Sequence, residues 1–253
     1  MQQNNETIWV GFITYGETTL KYLPYFLDSL ACQTDVTLKI VCVDNTDGPS
    51  ANLDYLADRR EVEVISKGSN QGFGKAYNIM LTAANKAGAE YFFIVNPDVI
   101  LAPDCLKRLI VALQKNQALS SVCPKLRRWD FEKKDKTEFI DSCGIVLRPS
   151  LQFFDLGQGE IDKGQYDSAE ILGPSGAAGL FKMSALNSIK EGEQYFDEHF
   201  FMYKEDCDLT MRLNLKGGKS ELVPLALAYH DRTASGFGEG FLARINARRS
   251  KSR

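Results

Sequence analysis

Tyr91-Phe92-Phe93-Ile94-Val95-Asn96-Pro97-Asp98 decides the fold class of this chain. Five consecutive apolar residues are too few for a buried helix, and their aromatic and β-branched character suits a strand buried on both faces. Asn-Pro then ends the strand, because proline lacks the N–H that a sheet ladder needs. Working outward, residues 8–13 and 38–43 form two further apolar strands, and 62–65 a short one. Between them lie segments of helical spacing: Leu20, Leu23, Leu27 and Leu30 share one face, with Pro24 placed where a first helical turn tolerates it. A second helix runs from the 68–74 loop to about Ala87 and stops at Gly88. A third restarts after Pro103-Asp104, with Asp104 as its cap. This alternation predicts a parallel sheet covered by helices, an α/β class.

Beyond residue 125 the pattern changes. Residues 129–136 are charged and read as a loop, 139–147 and 172–183 as strands, 156–168 as a polar stretch, and 222–229 as a last strand. The second half thus reads as α+β. The expected organisation is one domain of two halves, 1–125 for binding and 126–253 for catalysis and acceptor binding, with no repeat or low-complexity linker.

Composition narrows the function classes. A chain of 253 residues with 44% hydrophobic content can bury a large core. Six cysteines without a CxxC pair, several within strand-like runs, read as reduced core residues of a cytoplasmic protein. The N-terminus lacks the features of a secretory signal, and no apolar run approaches the about 20 residues of a membrane span. The net charge is −3, yet Arg244, Arg248, Arg249, Lys251 and Arg253 put five positive charges in the last ten residues, leaving −8 on the rest. Such a basic tail can hold a protein peripherally at the anionic inner face of a membrane. Nucleic acid is disfavoured as a partner, since the body is acidic and no basic patch interleaves with aromatics.

In open parallel sheets, ligands bind beyond the carboxyl ends of the strands, and polar clusters follow each strand here. Thr14-Tyr15 follows the first. Asp44-Asn45 follows the second; a carboxylate there can accept a pyrimidine N–H, although Asp and Asn also favour plain turns. The loop Gly68-Ser69-Asn70-Gln71-Gly72-Phe73-Gly74 offers backbone N–H groups and a helix N-terminus suited to a phosphate or nucleotide. It is not a P-loop, because Ser69 replaces the first glycine and Ala76 follows Lys75. Asn96-Pro97-Asp98 puts a carboxylate at the mouth of the sheet, where Mg²⁺ or Mn²⁺ could share it with diphosphate oxygens. His230, after the last strand, could complete that metal site with Asp98, though a histidine at a strand end is also common as packing. Glu205 and Asp206 open a helix whose dipole favours ionised carboxylates, a setting for a general base. Asp208 and Arg212, four apart, pair structurally. His199 has no assigned role.

Taken together, Thr14-Tyr15, Val43-Asp44-Asn45, Asn70-Gln71-Gly72-Phe73-Gly74 with Asn78, Asn96-Pro97-Asp98, residues 173–181, Phe196-Asp197-Glu198, Glu205-Asp206-Cys207-Asp208-Leu209 with Arg212, and His230 resemble family 2 of the inverting glycosyltransferases, especially its bacterial rhamnosyltransferase-like branch. The resemblance implies a GT-A fold, a Rossmann-like mixed sheet flanked by helices. It implies that Thr14, Tyr15 and Asp44 hold the nucleotide, that the segment with Asn70, Gly72, Phe73 and Asn78 shapes the donor pocket alongside Asn96, and that Gly176 to Gly179 pass beneath the donor sugar. Asp98 and His230 would hold a divalent metal (Mn²⁺ or Mg²⁺), and Asp206, next to Glu205, would be the catalytic base. The implied donor is a UDP- or dTDP-sugar, and the implied acceptor a glycan or lipid-linked glycan of cell-surface polysaccharide synthesis. Two features depart from the family pattern: Gly16 stands where relatives carry Asn, and the chain ends soon after His230. The competing readings are a nucleotidyltransferase and a noncatalytic nucleotide-sugar binding module. The first would need a glycine-rich basic loop after the first strand, which Thr14-Tyr15-Gly16-Glu17 does not supply.

Overall fold

The computed structural model describes residues 6–232. Its first half follows the predicted alternation: β1 (Thr7–Thr14), α1 (Leu23–Ala31), β2 (Thr37–Asp44), α2 (Ala51–Leu56), β3 (Val62–Ser66), α3 (Phe73–Lys86) and β4 (Tyr91–Val95). These are followed by β5 (Val99–Leu101), α4 (Cys105–Lys115), β6 (Leu119–Asp130), β7 (Asp135–Ser142), β8 (Ile145–Leu147) and β9 (Phe153–Asp155), and then by β10 (Ala178–Lys182), α5 (Met183–Ser188), α6 (Glu205–Leu215) and β11 (Lys219–His230).

Nine strands form one mixed sheet ordered β3-β2-β1-β4-β10-β6-β11-β5, with β7 also pairing β6. β3, β2, β1 and β4 are parallel, and β10 runs antiparallel to both β4 and β6. The alternating side chains of β4 explain its unbroken apolar run: Phe93 and Val95 pack with α1 and α4 on one face, while Phe92 and Ile94 pack with α3 and α6 on the other. Burying a side chain of this kind contributes roughly 2–3 kcal/mol. Register levels the strand ends, with Thr14 opposite Asp44 and Asp44 opposite Ser66. The polar clusters therefore share one edge of the sheet.

Several local expectations are corrected. Residues 129–136 form the turn of a β-hairpin, in which Trp129 and Phe131 pack edge-on against Tyr22 and Tyr25. Its charges lie on the exposed side of two paired strands. β6 went unread because Lys125 interrupts its pattern; that lysine is buried and ion-paired with Asp162 and Asp167. Asp104 stands at the N-cap of α4, but its carboxylate pairs with Arg108 and caps no backbone N–H. The expected 139–147 strand breaks at Gly144, whose φ is +104°, and in 172–183 only Ala178–Lys182 is strand. The 125/126 division falls inside β6. All six cysteines are free, five of them buried. Among the described residues no helix is long and apolar enough to cross a membrane, and the basic tail from about residue 244 lies outside them.

Candidate active site

Asp44 is wholly buried at the tip of β2. Its Oδ1 accepts the Thr14 hydroxyl at 2.7 Å and the Thr46 hydroxyl at 3.0 Å, while its Oδ2 has no partner. Thr14 thus turns onto Asp44, and Tyr15, 50% exposed, forms the lip beside it. Asn45 ties the glycine loop to β2: its Nδ2 donates to the Gly72 carbonyl (3.0 Å) and its Oδ1 accepts the Gln71 N–H (3.2 Å).

The loop is built differently from a phosphate cradle. The N–H groups of Asn70, Gln71, Gly72 and Phe73 donate in turn to Asp47 Oδ1, Asn45 Oδ1, Asn70 Oδ1 and the Phe201 carbonyl. These four donors are met within the protein. Gly72 has φ +74°, and a Cβ there would lie 2.7 Å from the Phe201 carbonyl oxygen, so only glycine fits. Phe73 lies against Tyr77 and Phe196. The Asn78 amide is also spent inside the protein: Oδ1 accepts the N–H groups of Tyr195 and Phe196, and Nδ2 donates to the Phe196 carbonyl and to Glu198. It staples α3 to the 195–198 segment.

At the mouth of β4, Asn96-Pro97-Asp98 closes a turn in which the Asn96 carbonyl accepts the Val99 N–H. His230, at the end of β11, brings Nε2 to 3.3 Å from Asp98 Oδ1, and its Nδ1 lies 2.7 Å from Asp141 Oδ2. Asp141 is fully buried and also meets Arg128. Burial alone would pull the imidazole down, but Asp98 and Asp141 outweigh it and push the His230 pKa up. Burial would likewise raise Asp141, yet His230, Arg232 and Arg128 hold it below the usual carboxylate range. The two carboxylates thus favour the protonated ring, whose proton a metal bound at Nε2 would have to displace. Asp98 and His230 are the residues present that would hold a divalent ion, with Asp141 orienting the ring as an outer carboxylate commonly does. Among the described residues no cluster of three or more His, Cys, Asp or Glu is placed to hold a metal.

Glu205 and Asp206 open α6. Asp206 Oδ2 accepts the Gly176 N–H at 2.9 Å and Oδ1 accepts the Cys207 N–H at 2.8 Å. Next in the same stretch, the Ala177 carbonyl accepts the Asn96 N–H at 3.0 Å. Gly176-Ala177 thus ties the turn carrying Asp98 to the carboxylate of Asp206. Gly179 lies within β10 as a packing residue; a Cβ there would meet Pro174 at 2.4 Å. Glu205 is 6% exposed, its Oε2 has no partner, and burial raises its pKa to about 7. A cleft of about 350 Å³ opens between the β8–β9 hairpin and the first turn of α6, lined among others by Phe153, Phe154, Tyr203, Glu205, Asp206 and Arg232. Asp208 pairs with Arg212, which also donates to the carbonyls of Ile189 and Tyr195.

Sequence reasoning missed Thr46, Asp141, Asp155 and Arg232, and named Asn45 only as the partner of Asp44 at the strand end. Arg232 pairs with Asp155 across the cleft and lies 3.7 Å from Asp141. Thr46 sits in a strand-end polar run that signalled only a turn, and Asp141 follows a strand start of exposed charges, so nothing local marked it as inward-facing.

The chain is 26% identical over 239 residues to the rhamnosyltransferase WbbL of Escherichia coli (strain K12), covering 88% of this chain and 83% of that one. It is 27% identical over 244 residues to the N-acetylglucosaminyl-diphospho-decaprenol L-rhamnosyltransferase of Mycobacterium tuberculosis, covering 85% and 73%. Its fold matches that of GalNAc-T7 crystallised with UDP, GalNAc and Mn²⁺, with a TM-score of 0.67 at 15% identity, over 91% of this chain and 44% of that protein. The chain thus spans less than half of GalNAc-T7, and the likeness is one of the GT-A fold. The family model of glycosyl transferase family 2 matches residues 9–189, and with that match over most of its length the chain, a glycosyltransferase, belongs to glycosyl transferase family 2.

Proposed function

We propose that this glycosyltransferase moves a sugar, with inversion, from a pyrimidine nucleoside diphosphate donor to a hydroxyl of a glycan or lipid-linked glycan in cell-surface polysaccharide synthesis. One observation carries the reading: Gly176-Ala177 bonds to both the turn bearing Asp98 and the carboxylate of Asp206, so a diphosphate-binding corner and a base are held in one frame. The named acceptor of the mycobacterial relative, a diphospho-decaprenol-linked sugar, supports the acceptor class.

In this mechanism the nucleotide enters over Asp44 and Tyr15, and its diphosphate lies toward Asp98 and His230. A divalent cation bound there supplies charge neutralisation of the leaving diphosphate, an effect that can amount to several kcal/mol. The acceptor hydroxyl approaches from the 350 Å³ cleft. Each Asp206 oxygen accepts one N–H and keeps a lone pair. Asp206 takes the hydroxyl proton as the acceptor oxygen bonds to the anomeric carbon. The bond from that carbon to the phosphate oxygen breaks, and the nucleoside diphosphate leaves with the electron pair. A single displacement inverts the centre. General-base assistance contributes a factor of about 10² to 10⁴, with orientation and electrostatics supplying the rest.

Asp206→Asn keeps the shape and one of the two N–H contacts, its amide nitrogen facing the other N–H, and cannot take the proton. It is expected to lower transfer at least about 10²-fold while leaving UDP affinity in Mn²⁺ within about twofold. Rates are read from nucleoside diphosphate release and affinity from calorimetry. Wild-type turnover by this variant would refute the assignment of the base.

A further inference from the structure

A carboxylate that reads a nucleobase can offer one oxygen or two, and the number decides which bases it suits. Asp44 offers one. Its Oδ1 receives two hydroxyl protons, from Thr14 and from Thr46, which is the full capacity of a carboxylate oxygen. The direction of the second bond is forced. Thr46 Oγ1 accepts the Gly16 N–H at 3.0 Å, a group that can only donate, and also accepts the Ser50 hydroxyl at 3.3 Å, so its own proton goes to Asp44. Thr14 Oγ1 lies 3.7 Å from the buried Cys42 thiol, which burial keeps protonated, so that S–H is available to donate to it. Asn52, fully buried, holds the same corner by donating to the Gly16 carbonyl at 2.7 Å and accepting the Thr19 hydroxyl at 3.0 Å. Asp44 Oδ2 is left buried and unpartnered.

From this geometry we infer that Thr14 and Thr46 are specificity determinants that select a uracil or thymine nucleotide over a guanine one. The Watson–Crick edge of guanine presents two adjacent donors, N1–H and the 2-amino group, and is best met by both oxygens of a carboxylate. Uracil and thymine present a single N3–H between two carbonyls. One free oxygen satisfies that donor, and masking the other removes its repulsion toward the flanking carbonyl. Adenine has no ring N–H to offer. Thr14 and Thr46 act through Asp44 and are positioning residues. The inference rests on the donor reading above and adds the residues that set the choice of base.

The test is the ratio of GDP to UDP and dTDP dissociation constants in Mn²⁺, measured for the wild type and for Thr46→Val, Thr14→Val, the double variant and Thr46→Ser. A ratio within one protein is independent of its active fraction, so partial misfolding does not blur it. The wild type is expected to favour UDP or dTDP at least about tenfold, the valine variants to lose most of that preference, and Thr46→Ser, which keeps the hydroxyl, to retain it. An unchanged ratio in the valine variants overturns this inference alone; a wild type that prefers GDP overturns the pyrimidine donor reading and this inference with it. Failure of the wild type to bind any nucleoside diphosphate overturns the donor reading and this inference with it.

Discussion

Glu205 and Asp206 are neighbours in sequence with opposite surroundings. Asp206 receives two backbone N–H groups, while Glu205 is buried with one oxygen unmet. Burial lifts the Glu205 pKa from the model-compound 4.5 to about 7, a difference corresponding to about 3 kcal/mol. Between these two values the folded protein holds a proton that the unfolded chain has released, so stability falls as pH rises from about 4.5 to about 7 and the deficit persists above. Glu205→Gln removes it. The variant should gain stability over the wild type at pH 8, by up to about 3 kcal/mol, and show no gain at pH 4. Denaturant unfolding at the two pH values checks this; an equal effect at both would show that Glu205 does not titrate as described. At this scale the acidic residues most legible in the sequence were those with a punctuated context: Asp44 and Asp98 end apolar runs, and Asp206 starts a helix. Asp141 was not legible, because its inward orientation depends on the pairing of β7 with β6 and on His230, 89 positions away.

Among the elements, α3 shows how a candidate binding residue can work by placing others. Asn78 makes four hydrogen bonds to residues 195–198, and that stretch leads into Phe201, whose carbonyl receives the Phe73 N–H. Asn78→Ala leaves two backbone N–H groups and a carbonyl without their partner in a buried site. We expect it to destabilise the protein by about 2–3 kcal/mol in urea unfolding with an unchanged slope; a loss below about 0.5 kcal/mol, typical of a surface change, would show that the staple carries no weight. The helices and parallel strands were readable because each carries its own period and caps. The antiparallel part was readable only in outline: β10 lies within the expected 172–183 strand and the end of β7 within 139–147, but β6 hides a paired lysine, the β6–β7 hairpin exposes its charges, and β5, β8 and β9 are three residues each, too short for any periodicity to register.

Over the whole molecule, the sheet gathers groups that the sequence scatters. Thr14, Asp44 and His230 end three different strands, Asp98 lies in the turn after a fourth, and Gly176-Ala177 joins that turn to Asp206 at the start of a helix. That the first strands run parallel was foreseeable from the alternation of elements. The insertion of β10 between β4 and β6, which carries Gly176-Ala177 to both partners, was not, because no local pattern specifies which distant strand will pair. The account stands on this corner being a metal-dependent nucleotide site. Its most direct test is calorimetric titration of the unmodified protein with UDP and dTDP, each with and without Mn²⁺. The account predicts saturable binding of at least one of them that weakens by about tenfold or more when the metal is withheld. Equal affinity with and without Mn²⁺, or no binding of either nucleotide, would contradict it.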